Sequence, residues 1–361
     1  MVNKTTNIFI GILTSIIIAI ISINASAFFG KELLGFNKSP ISPIFLSLLS
    51  GIIVANFTKM SLIANIGIEI CIKYFLKAGI ILMGIRLGIN DMLSFGLKGI
   101  LVITPCIILT IIVVEKTRSY FSIPSKMATL IGVGTSICGA TAIVATGPVI
   151  HAKKEEIAFA IVNITIFGIF AMLFYPFLAH FFFSSNPISA GLFLGSSIHE
   201  TAQVAGAGMI YADQFFSSEA FDTSTVTKLV RNTFMIIVIP YFSIQNNKLN
   251  GLKTNFSKQV YQIFPLFILG FIFFVILRTI GDYNIEKNGS IFGLINFETW
   301  TMLIDTISRL SKFLLIIAMS AIGISINIKK LRSIGFQIFY YGLFISAFVG
   351  LVSIGTIHLI F

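Results

Sequence analysis

Charge is what this chain is short of. Asp, Glu, Lys and Arg make up 11% of its 361 residues, where a soluble protein of this size carries roughly a quarter. Cysteine is scarce as well: Cys71, Cys106 and Cys138 lie within or at the ends of apolar stretches, without metal-type spacing. They read as small packing residues and exclude a disulfide framework. There are four histidines, and no segment long enough outside the apolar runs to form a nucleotide-binding domain, which excludes ATP-driven work by this chain alone. What fills the sequence instead is hydrocarbon: 56% of residues are hydrophobic and the mean hydropathy is +0.97. A membrane helix needs about 20 apolar residues, and runs of that length follow one another along the chain. The protein is therefore expected to be integral to a membrane.

The net charge of +11 does not point to nucleic acid. Lys and Arg are scattered in ones, twos and threes between apolar runs, as in short cytoplasmic loops of membrane proteins. Reading apolar runs between charged or turn-rich breaks gives spans at 7–24, 41–57, 66–87, 97–115, 126–150, 157–183, 188–210, 225–245, 259–280, 306–327 and 334–360. The expectation is an all-α polytopic protein with about 11 transmembrane helices (10–11), forming a single membrane domain over 1–361. The region 281–300 reads as a loop with an interfacial helix around Trp300. Lys4, the run Ile8–Ile23 and Ala25-Ser26-Ala27 imitate a cleavable leader, yet an uncleaved first helix is expected. The Lys and Arg balance between alternate sides favours a cytoplasmic N-terminus.

The chain also echoes itself. MGIRLGINDMLSFG at 83–96 aligns with IGISINIKKLRSIG at 322–335, sharing Gly84/Gly323 and Gly96/Gly335. Seven spans separate the copies, so they would run in opposite directions, as in the inverted repeats of secondary transporters. The candidate repeat halves are 41–183 and 188–360. A shorter echo, GTSI at 134–137 against GSSI at 195–198, is two spans apart and would be parallel.

Two polar islands interrupt the apolar runs. In Gly132–Pro148, Gly132, Gly134, Thr135, Ser136 and Gly139 fall within eight residues. Small residues let membrane helices pack closely, but adjacent Thr and Ser fit better a discontinuous helix, whose freed backbone groups are tolerated only where they line a cavity or find partners. The second island is Gly195–Gly208, with His199, Glu200 and Gln203 in mid-span. A charge at that depth costs about 2.5–3.5 kcal/mol on insertion scales. HETAQ imitates a zinc-protease pattern, but Gln203 replaces the second histidine, so no metal site is expected. Structural alternatives stand beside these: Glu200 could pair with Lys228 or Arg231, and Lys228 could snorkel from the start of the next span. Glu69, Lys73 and Lys77 follow at four-residue intervals and read as a local structural pairing.

Taken together, LKAGIILMGIRL, GTSICGATAI, GPVI with the Lys153–Glu156 cluster, SSIHETAQVAGAG, TKLVRN and AMSAIGISI resemble the YeiH-type family of bacterial inner-membrane proteins, labelled sulfate exporters. The resemblance runs from Leu76 to Gly342, departing at Thr141 and Gly147, where Ser and Ala are expected. It implies a place among inverted-repeat carriers of the bile-acid and auxin type, in which crossing broken helices form the substrate site. GTSICG would be one broken helix, and Ala318–Asn327 its crossing partner.

The functional expectation is a multi-pass secondary transporter in the bacterial cytoplasmic membrane for a small anionic solute, sulfate or a related anion. Gly134, Thr135, Ser136 and Gly139 would offer backbone and hydroxyl donors. Ser197, His199 and Gln203 would line the path, Arg231 would balance substrate charge, and Glu200 would couple transport to protons. No enzyme activity and no cofactor are expected. The expected partners are the anionic solute and membrane lipid, not nucleic acid, with a homo-oligomer left open. A channel or ligand-sensing membrane component is the alternative.

Overall fold

The computed structural model describes residues 4–33, 42–58, 64–250, 265–291, 295–326 and 335–361. In hydrocarbon every backbone N–H and C=O must find a partner inside the protein, and a helix achieves this within one segment. Among the described residues the regular structure is accordingly helical, apart from one two-stranded hairpin. Among the described residues six helices are long and apolar enough to cross a membrane: Thr5–Ala27, Ile89–Thr117, Lys154–Phe183, Phe267–Asn288, Phe297–Ser325 and Phe336–Ile360. Their outward faces are apolar, as with Phe170, Phe174, Phe177 and Phe181 along one of them. Shorter or interrupted helices occupy the other predicted intervals.

Two compact units divide the chain. One comprises Met1–Ser94, Met209–Ser218 and Leu266–Ile328; the other comprises Phe95–Gly208, Glu219–Pro265 and Lys329–Phe361. Each draws on both candidate repeat halves, 41–183 and 188–360.

The first unit contains α1 (Lys4–Ala27), α2 (Pro43–Phe57), α3 (Asn65–Ile70) and α4 (Leu76–Met83). Glycine decides how these helices meet. A Cβ on Gly11 of α1 would lie 2.6 Å from the Gly67 Cα of α3, so the two backbones touch there. Between α3 and α4 the chain makes a π turn, Cys71–Phe75. A π turn inserts a residue into the helical repeat. Lys73 Nζ lies 5.4 Å from the Tyr74 ring centre and Lys77 Nζ 6.0 Å from that of Phe267. Among the described residues, no ion pair joins either to Glu69.

The second echo copy lies partly at 327–334, outside the described residues. In the first copy, Gly84–Arg86 forms a tight 3-10 turn that ends α4, and α5 (Ile89–Thr117) opens beyond it.

The 281–300 region departs from the expected loop. The helix Phe267–Asn288 continues through it, the hairpin β1 (Ser290–Ile291) and β2 (Ile295–Asn296) turns the chain, and the helix Phe297–Ser325 starts at once. Trp300 belongs to the first turns of that helix and is buried. Its indole N–H donates to Asp282 at 2.8 Å and its ring fills the space left by Gly281. The acidic loop-like composition concealed this, because Asp282 spends its charge on a buried donor.

The second unit holds α6 (Ser125–Val133), α7 (Ala140–Val149), α8 (Lys154–Phe183), α9 (Pro187–Ser197), α10 (Thr201–Gln214), α11 (Ser218–Thr233) and α12 (Met235–Asn250). After these come α13 (Phe267–Asn288) and α14 (Phe297–Ser325) of the first unit, then α15 (Phe336–Ile360) of the second. Unit boundaries fall inside α5 and α10 and after the first residue of α11.

The most polar of these helices, α11, is also among the most enclosed, with Thr223, Ser224, Thr225, Thr227, Lys228, Arg231 and Asn232 all buried. Glycines on its neighbours admit it. A Cβ on Gly191 or Gly195 of α9 would lie 2.6 Å from the carbonyl oxygen of Ala220 or Ser224, respectively, and Gly208 of α10 lies against Phe221 and Ser224.

Candidate functional site

The first polar island is a broken helix. α6 runs into a π turn at Gly134–Cys138, and the chain then reverses its backbone sense at Gly139, with φ +56° and ψ −130°. That conformation is essentially restricted to glycine. Gly132 and Gly134 do a different job. Side chains there would lie 2.9 Å from Val114 and 2.7 Å from Ile143, so these two glycines serve packing. The Gly134 N–H is bonded within α6, and its carbonyl accepts from Gly139 N–H at 2.8 Å. Gly134 therefore has no free backbone donor of the kind the sequence reading assigned to it.

The second island is broken too. α9 ends at Ser197, Ile198 is extended, and α10 starts only at Thr201. Gln203 reaches back to accept the Glu200 N–H at 3.1 Å, and its side-chain amide occupies the space over Gly168 of α8. Ser197 bonds back to Phe193 O at 2.5 Å, so its hydroxyl proton is committed to its own helix.

These breaks meet in the second unit. The Glu200 side chain lies directly against Gly139, and its carboxylate accepts the Ala140 N–H at 3.3 Å, the first residue of α7. A carboxylate there complements the positive helix N-terminus. Of the expected crossing partner, Ala318–Asn327, the stretch Ala318–Ser325 closes the helix Phe297–Ser325 of the first unit, and Asn327 lies outside the described residues. There the Gly323 and Gly51 backbones touch, so its small residues serve packing against α2.

The opposite helix ends are bound by α11. Lys228 Nζ donates to Ile137 O at 2.8 Å, Ile198 O at 3.0 Å and His199 O at 2.5 Å. Arg231 donates from Nε to Ser136 O at 2.7 Å, from Nη1 to Ile198 O at 2.8 Å, and from Nη2 to Thr135 O. Both side chains are fully buried. Lys228 thus does not snorkel. The apolar run underlying the span prediction starts late, whereas α11 begins at Ser218, which sets Lys228 almost three turns inside the helix. Among the described residues Glu200 forms no ion pair with Lys228 or Arg231.

His199 shares a hydrogen bond of 2.7 Å with Ser346 of α15, and one helical turn earlier Ser196 meets Ser353 at 2.6 Å. Sequence reasoning missed both α15 serines. Their seven-residue spacing, two helical turns, was the available signal. Asn232, also missed, donates to Thr201 at 3.0 Å at the start of α10. Among the described residues the Thr135 hydroxyl is buried without a partner, and that of Ser136 reaches only its own helix, at 3.5 Å from Val133 O.

The fold and site define a class: a multi-pass helical membrane protein with two broken helices bound at their carbonyl ends by buried cations. The family model described as Conserved hypothetical protein 698 matches residues 10–342. A UPF0324 membrane protein from Fusobacterium nucleatum is 34% identical over 319 residues, 87% of this chain and 89% of that protein. One from Streptococcus agalactiae is 35% identical over 294 residues, 81% of this chain and 82% of its own length. Another from Clostridium tetani is 30% identical over 356 residues, 95% of each. The chain belongs to this family of UPF0324 (YeiH-like) membrane proteins. No solved structure matches it.

Proposed function

We propose that the protein is a secondary transporter of a small anion, exporting sulfate or a related sulfur oxyanion or organic anion across the bacterial cytoplasmic membrane. One observation carries this reading: two helices are interrupted side by side, and the interruption encloses two buried cations. Lys228 and Arg231 bring two positive charges into a fully buried position, and Glu200 is the carboxylate seated at the break. Intramembrane charge of this kind is costly and marks solute or ion pathways. The N-termini of α7 and α10 add donors suited to an anion, with the Thr135 hydroxyl and His199 close in sequence to the breaks.

Glu200 has a second role in this proposal. It rests where an anionic solute would be drawn, on the first N–H of α7. Protonation would weaken its hold and free that helix end, so solute binding and proton uptake would be linked. Transport by Glu200→Gln with its pH dependence intact would remove this role.

The test is flux of radiolabelled sulfate into proteoliposomes, with and without an imposed pH gradient. Saturable, gradient-dependent flux that is lost in Ser136→Leu is expected. Absence of flux would discard sulfate and lead to sulfite, organosulfonates and small carboxylates. Flux that neither saturated nor followed the gradient would make the protein a channel.

A further inference from the structure

Five main-chain carbonyls, those of Thr135, Ser136, Ile137, Ile198 and His199, converge on the Lys228 and Arg231 side chains. Three belong to the π turn that closes the α6 half-helix, and the other two to Ile198 and His199, the residues that directly follow the last residue of α9, Ser197. Such carbonyls lack intrahelical partners and lie at the negative end of the helix dipole. Away from water they require a cation, and unwound carbonyls at half-helix ends are where transporters coordinate a free sodium ion. Here the requirement is met from within. An ammonium group has three donors, and Lys228 spends all three on carbonyls of the two helices. Arg231 adds three more bonds and shares Ile198 O with Lys228.

We propose that Lys228 and Arg231 are tethered cations: they fill the carbonyl cradle that a free monovalent cation would otherwise occupy, so the site operates without bound sodium or potassium. The cradle stands on its own geometry. Its consequence for coupling rests on the transporter reading, under which solute flux would be independent of sodium. The tether also closes the break from one side, because α11 binds both helix ends at once and Glu200 lies at the other, N–H-bearing end of α7.

Removing the tether should convert the cradle into a site for a free cation. Lys228→Ala deletes the ammonium and its stem, leaving Ile137 O and His199 O without their donor. The test is thermal unfolding of purified wild type, Lys228→Ala and Lys228→Met in choline, sodium, potassium and methylammonium chloride at equal concentration. Wild type should unfold at the same temperature in all four. Lys228→Ala should unfold earlier in choline and regain at least half of the lost Tm, saturably, in one of the small cations. Lys228→Met fills the space with an apolar stem, so its Tm should fall without recovering.

A Lys228→Ala Tm that is equal in all four salts would overturn the proposal. So would a wild-type Tm that rises saturably in sodium or potassium over choline. If Lys228→Ala cannot be purified folded, equilibrium binding of radioactive sodium to wild type decides: absence of saturable binding is expected, and saturable binding overturns the tether. None of these readouts uses solute flux, so they answer even for a protein that transports no sulfate. Failure of the flux experiment likewise leaves the cradle standing.

Discussion

Arg231 shows how burial changes the meaning of a residue. Read as a charge near the start of a span, it is a group whose removal would weaken anion binding and leave assembly intact. In the structure it holds the Thr135, Ser136 and Ile198 carbonyls. Each buried polar group left without a partner costs about 1–3 kcal/mol. Arg231→Ala is therefore expected to lower Tm and the monodisperse fraction on size exclusion. Arg231→Lys should recover only part of either, because one ammonium cannot reproduce the planar fork. An unchanged Tm in Arg231→Ala would return the residue to a solute-binding role alone. Gly139 is the second case. Alanine there meets a backbone conformation costing roughly 1–3 kcal/mol and also the Glu200 side chain. The double variant Gly139→Ala with Glu200→Ala should consequently lose less stability than the sum of the single variants, since only the clash is relieved. Additive losses in thermal unfolding would show that the two residues do not touch.

Glycine sets several of the closest helix approaches in this protein. α9 approaches α11 across Gly191 and Gly195, where a Cβ would lie 2.6 Å from a carbonyl oxygen. Because α9 leads directly into Ile198 and His199, whose carbonyls Lys228 and Arg231 hold, its distance from α11 sets those hydrogen bonds. Gly195→Val is expected to push the helices apart and abolish activity along with stability. Gly96→Ala on α5 is the control: its nearest neighbour is a Val230 methyl at 3.7 Å, an ordinary contact. Equal Tm losses in the two would show that the close approach is not what matters. Glycine spacing was visible in the sequence as candidate packing. The second helix break was not recognised there, since His199, Glu200 and Gln203 drew attention as side chains, whereas the structure uses Ile198 and His199 chiefly for their carbonyls.

At the scale of the whole molecule, the eleven-span reading sets Tyr120 and Glu219 on opposite sides of the membrane, with three spans between them. Native background labelling should be low because Cys71, Cys106 and Cys138 are all buried. Tyr120→Cys and Glu219→Cys replace exposed residues. With a cytoplasmic N-terminus, an impermeant maleimide applied to intact cells should label Glu219→Cys and spare Tyr120→Cys until the membrane is opened. The reverse pattern would invert the topology. Equal labelling would mean that an interrupted segment, α6–α7 or α9–α10, enters the membrane and returns without crossing.

Composition alone determined the membrane class, because apolar runs of this length leave a chain no other solvent. Local chemistry pointed to the first break, because Gly132, Gly134, Thr135, Ser136 and Gly139 crowd into eight residues of an apolar run. Family membership was legible as well, through the order of its polar islands. The tertiary structure decided which segments of the second unit share a site: the GTSICG break lies with Ile198–Glu200. It also decided what the buried cations bind. Every residue carries a carbonyl, so a site built from main-chain oxygens leaves no composition to read. Only the fold selects which carbonyls are stripped of helical partners and brought to a Lys and an Arg.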